Sequence, residues 1–169
     1  VSYSISKGKV FISDDDSNLY AVDIYSGHTS WNISVPTSDI QLIEVSGSRI
    51  FAQADHSILA FNSTDGDILW NVTKTPYVNM GSIRNGSIYV SSDDGRLYAI
   101  NITDGSEIWN FSQVYESATE PVAADDTVFV VFSMVEGADH STIMAFDAIN
   151  GSLEWEYDLD GLADVTNIV

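Results

Sequence analysis

The stretch Leu97-Tyr98-Ala99-Ile100-Asn101-Ile102-Thr103-Asp104-Gly105-Ser106-Glu107-Ile108-Trp109 decides the fold, because the chain contains four copies of its pattern. In every copy a glycine follows an alanine by six residues, and a tryptophan follows that glycine by four. The other copies have the anchors Ala21, Gly27 and Trp31; Ala60, Gly66 and Trp70; and Ala145, Gly151 and Trp155. Successive tryptophans are 39, 39 and 46 residues apart. A recurring period of this length predicts a repeat architecture.

Each repeat carries short apolar segments separated by turn residues. In the first repeat, Val10-Phe11-Ile12 and the segment from Leu19 to Val22 are flanked by clusters of Gly, Asp, Asn and Ser. Such segments are typical of β-strands, and no window shows helical periodicity. We therefore predict an all-β chain made of four-stranded antiparallel β-propeller blades. The predicted blades are residues 1–35, 36–74, 75–114 and 115–160, with 161–169 as the first strand of a further blade.

The repeated anchors have structural explanations. A tight turn between the third and fourth strands needs a positive φ, which glycine adopts without steric cost. The turn glycines are Gly27, Gly66, Gly105 and Gly151. The alanine leaves room for the ring of a neighbouring blade, and the large apolar surface of the tryptophan joins one blade to the next. The blade tryptophans are Trp31, Trp70, Trp109 and Trp155, of which we expect the first three to be mostly buried between sheets.

The pattern Ala-x-[Asp/Asn]-x-x-x-Gly-x-x-x-Trp resembles the repeat of the PQQ-like β-propellers. The strand before it is similar too, as in Ile88-Tyr89-Val90-Ser91-Ser92-Asp93-Asp94-Gly95-Arg96-Leu97-Tyr98-Ala99. That superfamily includes quinoprotein alcohol dehydrogenases and non-catalytic propellers such as the outer-membrane assembly lipoproteins, so the resemblance specifies the fold and not the function. Members usually close with seven or eight blades, which implies that four repeats are about half a ring. Two departures are the absence of Thr before the glycine and the presence of Asn62 and Asn101 where the pattern has Asp.

Composition excludes several classes of protein. Six Lys plus Arg against 25 Asp plus Glu give a net charge of −19, which would repel nucleic acid and anionic lipid. No run of 18 apolar residues exists, so we predict no transmembrane segment. Cysteine is absent, which excludes disulfides, Cys-zinc sites and thiol catalysis. Because Val1 is not followed by a basic and then an apolar stretch, we expect a mature or mid-protein start.

Few residues point to catalysis or to a cofactor. The quinoprotein enzymes that the chain resembles use a bound quinone, a calcium ion and a vicinal disulfide, and this chain has no cysteine. His28, His56 and His140 fall in predicted turns or loops far apart, which favours solvated histidines over metal ligands. Asp14-Asp15-Asp16 and Asp93-Asp94 offer oxygen ligands for calcium, but aspartate is also common in hairpin turns. We therefore assign no catalytic, cofactor-binding or metal-binding residue.

Asparagine sequons are the strongest functional signal. Seven of ten asparagines begin an Asn-x-Ser/Thr sequence, whereas chance would give about two. These candidate glycosylation sites are Asn32, Asn62, Asn71, Asn85, Asn101, Asn110 and Asn150. Asn32, Asn71 and Asn110 directly follow a blade tryptophan, so an inward ring would turn the asparagine outward. Glycans belong on surfaces outside the cytoplasm and would also hinder edge-strand pairing. The alternative is a Ser/Asn-rich strand surface copied by duplication.

These features favour a non-enzymatic β-propeller, N-glycosylated and extracellular or on the cell surface. We expect it to act as a scaffold or protein-interaction module, with other proteins of a surface or envelope assembly, or copies of itself, as partners. The loop around Glu136 to His140 is the predicted contact. An acidic surface with few lysines suits concentrated salt, which favours an archaeal source. Two alternatives stay open: a fragment of a PQQ-dependent quinoprotein dehydrogenase with PQQ and calcium, and a carbohydrate- or calcium-binding surface module.

Overall fold

The computed structural model of the chain describes residues 1–37, 40–74, 76–113, 117–133 and 140–160. Every helix or strand in these residues is a β-strand, which confirms the predicted all-β class. The strands form four antiparallel sheets, and the chain divides into two compact units, Val1–Lys74 and Thr75–Val169. Within the described ranges, no helix of the length and hydropathy needed to cross a membrane occurs.

The first unit contains two four-stranded sheets in which each strand pairs with the next one in the chain. The first sheet is formed by β1 (Tyr3–Ser6), β2 (Lys9–Ser13), β3 (Asn18–Asp23) and β4 (Thr29–Ser34). The second is formed by β5 (Ile40–Ser46), β6 (Arg49–Ala54), β7 (Ser57–Asn62) and β8 (Ile68–Thr73). The unit's apolar core takes residues from both sheets, among them Phe11, Leu19, Ile50, Leu59 and Phe61.

The second unit also contains two sheets. Its first sheet is formed by β9 (Val78–Arg84), β10 (Ser87–Ser92), β11 (Arg96–Asn101) and β12 (Glu107–Ser112). Its second is formed by β13 (Ser117–Ala118), β14 (Val122–Ala124), β15 (Thr127–Ser133), β16 (His140–Asp147) and β17 (Leu153–Asp160). The core again takes residues from both sheets, among them Tyr89, Leu97, Val130, Phe132 and Phe146.

The first strand of this last sheet is split, which the sequence did not predict. β13 and β14 both pair with β15, and the residues between them, including Pro121, leave the strand. Proline has no N–H to donate to a ladder, so a break here is expected. The carbonyl of Pro121 instead accepts a 2.9 Å hydrogen bond from the N–H of Ser82 on β9. A Cβ on Gly81 would lie 2.0 Å from that carbonyl oxygen, so only glycine admits the contact.

The turn between the third and fourth strands has the same backbone hydrogen bond in all four sheets. The N–H of the glycine donates to the carbonyl four residues earlier, as from Gly27 to Asp23 and from Gly151 to Asp147, both at 2.9 Å. The side chain of that earlier residue caps the turn, since Asp23 Oδ1 accepts the Ser26 N–H at 2.8 Å. Asn101 Oδ1 accepts the Thr103 N–H at 2.8 Å, so asparagine performs the same role as aspartate.

A β-bulge lies beside each anchor alanine. In the first sheet Ala21 faces Trp31 but Val22 faces Thr29, so one residue of β4 has no partner opposite it. The other three sheets shift register after Ala60, Ala99 and Ala145. The four-residue spacing from glycine to tryptophan therefore includes one bulged residue. Because each alanine faces the tryptophan of its own sheet, its small side chain lies beside that ring as well as making room for a neighbour.

Candidate functional site

Trp31 joins the two sheets of the first unit. Its ring lies on β4 and is held within its own sheet by Phe11, at a centroid distance of 6.0 Å. Its Nε1 donates a 3.2 Å hydrogen bond to the carbonyl of Ser63 in the β7–β8 turn. A Cβ on Gly66 of that turn would lie 2.9 Å from the ring. Gly66 is therefore required both for its φ of +84° and for the space that the ring occupies.

The second unit repeats this contact with Trp109. Trp109 Nε1 donates to the carbonyl of Ala148 at 3.1 Å, and a Cβ on Gly151 would lie 2.5 Å from the ring. The hydroxyl of Tyr89 donates to the same carbonyl at 3.1 Å, and burial raises the pKa of Tyr89. We call this arrangement the Trp–Gly joint: a blade tryptophan on the glycine turn of the following sheet, with Nε1 bonded to the carbonyl three residues before that glycine.

The four blade tryptophans differ in how far they are covered. Trp70 and Trp109 are buried, with 9% and 8% of their surfaces exposed, and Trp31 is partly buried. Trp155 is 45% exposed. Its ring is nevertheless supported within its own sheet like the others, since Phe129 lies 5.9 Å from it and Phe51 lies 5.8 Å from Trp70. Local sequence therefore supports all four rings in the same way, although they differ in how far they are exposed.

Three of the sequon asparagines lie at one position on the edge strands. Asn32, Asn71 and Asn110 are on β4, β8 and β12, each beside a tryptophan, and all three side chains are exposed. Asn110 Nδ2 donates to Glu107 Oε1 at 2.6 Å on the same strand. The side-chain amides of these three asparagines are therefore exposed to solvent, where an attached group would contact no core residue of their own sheet.

Three other sequon asparagines have a structural role in turns. Asn62 Oδ1 accepts the Thr64 N–H at 3.0 Å, and its Nδ2 donates to Asp65 at 3.1 Å. Asn101 caps the equivalent turn, and Asn150 Oδ1 accepts the Ser152 N–H at 2.8 Å. Because these amide oxygens hold turns, the turn geometry accounts for asparagine there without glycosylation. Asn85 lies in the β9–β10 turn with a φ of +50°, a conformation that asparagine tolerates.

The acidic cluster that begins at Asp14 is an internally bonded turn. Asp14 accepts hydrogen bonds from the side chain and backbone of Asn18 and from the Tyr20 hydroxyl, the last at 2.8 Å. The bonds from Asn18, its side chain first, lower the pKa of Asp14 to about 2 from its ordinary value of 3.8. The Asp14 carboxylate therefore already has protein partners, and its geometry is explained without a calcium ion.

We expect the Asn18→Ala substitution to raise the pKa of Asp14 from about 2 towards 3.8, because the strongest hydrogen bond is removed. The folded pKa lies below the unfolded one, so these bonds stabilise the turn above about pH 3.8 and are lost as pH falls towards 2. Carboxyl-carbon NMR titration measures the change. Asp104, whose pKa is lowered by Ser106, is the internal control and should not move. An unchanged Asp14 titration in the variant contradicts this account.

The remaining candidate groups do not converge. In the described part of the chain, no three His, Asp or Glu side chains are placed to hold a metal ion. His28 and His56 lie in turns as predicted, but His140 begins β16, so its placement in a loop was wrong. A cleft of about 130 Å³ in the first unit is lined by lysine, hydroxyl-bearing and apolar residues, among them Lys9, Ser63 and Phe11. It is smaller than the roughly 300–1,000 Å³ of ordinary ligand pockets.

Two predicted features lie outside the described residues. One is most of the loop around Glu136 to His140, the predicted partner contact, since residues 134–139 are not described. The other is the segment 161–169, predicted to be the first strand of a further blade.

Sheets of this topology, joined by tryptophans on glycine turns, define a β-propeller of PQQ-like repeats. The chain belongs to the family described as outer membrane protein assembly factor BamB, whose model matches residues 2–85 and 78–168. The predicted resemblance is thereby confirmed. No curated protein sequence matches the chain.

Solved structures show the same fold at low sequence identity. BamB from Moraxella catarrhalis is 14% identical with a TM-score of 0.63, over 92% of this chain and 60% of that one. A quinohemoprotein alcohol dehydrogenase from Pseudomonas putida HK5 is 14% identical with a TM-score of 0.73, over 92% and 33%. A europium-containing methanol dehydrogenase is 14% identical with a TM-score of 0.72, over 92% and 40%. The chain therefore spans between 33% and 60% of the length of these structures.

Proposed function

We propose that the chain is part of a non-enzymatic, extracellular or cell-surface β-propeller that acts as a scaffold or protein-interaction module and carries N-linked glycans. Its partners are other proteins of a surface or envelope assembly. The observation that carries the proposal is the row of exposed sequon asparagines, Asn32, Asn71 and Asn110, at one position of three edge strands.

The family supports the interaction role. Its description is that of an assembly factor for outer membrane proteins, which is a role in bringing proteins together. The dehydrogenases among the solved structures share the fold at 14% identity, and a shared fold does not carry over an activity. The sheets themselves suit a scaffold, because their turns are capped by side chains and their anchor rings are supported within each sheet.

The exposed edge strands support a glycosylated surface. An unprotected edge strand offers free N–H and C=O groups to other chains, and a glycan beside it would block such pairing. The chain has only three lysines, the usual edge-protecting residue, and none lies on β4, β8 or β12. Glycans in this row would leave the turns at the ends of the sheets as the surfaces for partner proteins.

We expect native protein to lose mass on chemical deglycosylation, and to carry its sugars first at Asn32, Asn71 and Asn110. The reason is that these side chains are exposed on edge strands, whereas Asn62 and Asn101 hold turns. Intact-mass measurement before and after treatment, with glycopeptide mapping, measures the occupancy.

The matched comparison is between two sets of Asn→Gln substitutions expressed in the native host. Changing Asn32, Asn71 and Asn110 together should remove most of the attached mass, and changing Asn62 and Asn101 together should remove less of it. An unchanged mass after deglycosylation of native material would remove the main support for a surface location.

A separate assay tests the non-enzymatic part of the proposal. The full-length protein, supplied with PQQ and calcium, should give no dye-linked alcohol oxidation above that of a boiled sample. Turnover that requires both additions would instead favour the quinoprotein dehydrogenase alternative. Cross-linking of native envelopes followed by mass spectrometry should recover other envelope proteins attached to the chain.

A further inference from the structure

The cleft between the two sheets of the first unit contains two of the chain's three lysines. Lys7 is in the β1–β2 turn and Lys9 begins β2. From the second sheet, Gly47 of the β5–β6 turn and Ser63 of the β7–β8 turn line the cleft. Phe11 supplies apolar surface beside them. Every lining residue belongs to one of these two sheets or to its turns, so the cleft lies between two sheets that are both present.

The second unit has the same elements in the same relation, so the two units can be compared residue by residue. The N–H of Ser63 donates to the carbonyl of Ser48 at 3.0 Å, and the N–H of Ala148 donates to the carbonyl of Asp126 at 2.8 Å. Ser63 and Ala148 are also the residues whose carbonyls accept the tryptophan Nε1 bonds. These bonds align the β5–β6 turn of the first unit with the β14–β15 turn of the second.

In the second unit, two aspartates bind the groups opposite them at this position. Arg84 of β9 donates from Nε to the Asp125 carbonyl at 3.0 Å, and its guanidinium lies 3.6 Å from the Asp125 carboxylate. Asn85 Nδ2 donates to Asp126 Oδ1 at 3.5 Å. The carboxylates of one sheet therefore meet the cation and the amide of the other.

The first unit has cations here but lacks the carboxylates. Lys7 stands where the second unit has Asn85, and Gly47 stands where it has Asp125. A Cβ on Gly47 would meet nothing within 4 Å, so the space of the missing side chain is open. Neither Lys7 nor Lys9 forms an ion pair with a described residue. Two ammonium groups therefore line a cleft to which the described residues supply no carboxylate partner.

Phe11 adds apolar surface where the second unit has a hydroxyl group. Its equivalent, Tyr89, donates to the Ala148 carbonyl at 3.1 Å. Phe11 has no such donor, and the Ser63 carbonyl at the same position accepts the Trp31 Nε1 bond. The cleft therefore combines an apolar wall with ammonium and hydroxyl groups.

We propose that this cleft binds a small organic carboxylate with a short aliphatic part. The ammonium groups of Lys7 and Lys9 bind the carboxylate, and the aliphatic part lies against Phe11. An anion is favoured because the charged side chains that line the cleft are both positive, in a chain whose net charge is −19. A carboxylate is favoured because it is the group that occupies the equivalent position in the second unit. The volume of about 130 Å³ restricts the ligand to a size well below that of drug-like molecules.

Butyrate is the probe for this site, and butyramide, its uncharged analogue, is the control ligand. Binding to the full-length protein is measured by saturation-transfer difference NMR, at a constant ionic strength of about 0.15 M. We expect butyrate to bind with a Kd of about 1–10 mM, and butyramide to bind about tenfold more weakly or less, because it carries no charge. Acetate should also bind more weakly than butyrate, since it lacks the aliphatic part that contacts Phe11.

Variants of the lysines test where the probe binds. Lys7→Gln and Lys9→Gln should each weaken butyrate binding about fivefold, because each removes one charged hydrogen-bond donor. Lys74→Gln, which removes the third lysine and the same charge outside the cleft, is the matched control and should leave the Kd unchanged.

Variants of Gly47 test the comparison between the two units. Gly47→Asp supplies the carboxylate that Asp125 supplies in the second unit, and should weaken butyrate binding about tenfold by occupying the lysines. Gly47→Asn has the same shape without the charge, and should bind butyrate within about twofold of the unaltered protein. Both side chains tolerate the φ of +64° at this position, and Asp125 itself has a φ of +52°.

Three outcomes overturn the proposal. They are an absence of butyrate binding at about tenfold above the expected Kd, butyramide binding as tight as that of butyrate, and a loss of binding in the Lys74→Gln or Gly47→Asn variant as large as in the cleft variants. Circular dichroism of each variant establishes that it is folded before the affinities are compared. The site is additional to the proposed scaffold role, so an absence of glycans or of envelope partners in the earlier experiments would leave these affinities unaffected.

Discussion

Replacing Trp109 with alanine should lower the free energy of unfolding by about 3–5 kcal/mol, the usual range for truncating a large buried aromatic residue. The ring is 8% exposed, contacts the rings of Tyr89 and Phe146, and fills the space above Gly151. Its removal leaves a cavity between two sheets of one unit. The carbonyl of Ala148 keeps one donor, the Tyr89 hydroxyl, so the loss is mainly of packing. Urea denaturation followed by far-UV circular dichroism measures it.

Trp155→Ala is the matched control for this experiment. It removes the same side chain from the same position of the repeat, with the same kind of aromatic support from Phe129. Because Trp155 is 45% exposed, we expect a loss of only about 1 kcal/mol. Equal losses in the two variants would show that the joint between sheets does not determine the tryptophan's contribution.

Replacing Gly151 with alanine should lower the free energy of unfolding by about 2–5 kcal/mol, for two separable reasons. A φ of +72° is unfavourable for any residue with a Cβ, at about 1–2 kcal/mol. The new Cβ would also lie 2.5 Å from the Trp109 ring, and such overpacking adds about 1–3 kcal/mol. Chemical denaturation again measures the total.

Gly27→Ala isolates the first of these effects. Gly27 has nearly the same φ, +70°, in the same kind of turn, but a Cβ there would meet nothing within 4 Å. We therefore expect Gly27→Ala to lower the free energy of unfolding by about 1–2 kcal/mol only. The difference between the two substitutions measures the contact with the ring. If both variants lose the same stability, the ring contact contributes nothing and glycine is needed for its φ alone.

The strands and turns could be predicted because their determinants are close together in sequence. Period-two alternation, Asp or Asn at the start of a turn and glycine four residues later act within one hairpin, whatever surrounds it. The asparagine that follows three of the four tryptophans could be placed on the opposite side of the strand for the same reason. Asn32, Asn71 and Asn110 are indeed exposed in the structure, and their glycosylation stays a prediction.

Features that join two sheets could not be predicted in this way. The break at Pro121 was not predicted, since nothing nearby in sequence shows that Gly81, 40 residues earlier, lies against its carbonyl. The bulge beside each alanine was also missed, because a constant spacing from glycine to tryptophan hides which residue lacks a partner. Gly66 and Gly151 have a second role, which is to leave space for a tryptophan ring. No local signal predicts this role, because the turn alone already requires glycine.

The sequence by itself determined the class of this protein: an all-β chain of four repeats, each an antiparallel sheet with one tryptophan and one turn glycine, and three of them with an outward asparagine after the tryptophan. It did so because every repeat has the same turn residues and the same spacing of alanine, glycine and tryptophan. Only the tertiary structure decided which copies of one motif are covered and which are open. Trp109 and Trp155 occupy the same position, yet one is 8% and the other 45% exposed. Burial depends on whether another sheet lies against the ring, and a residue's own sequence neighbourhood carries no information about that.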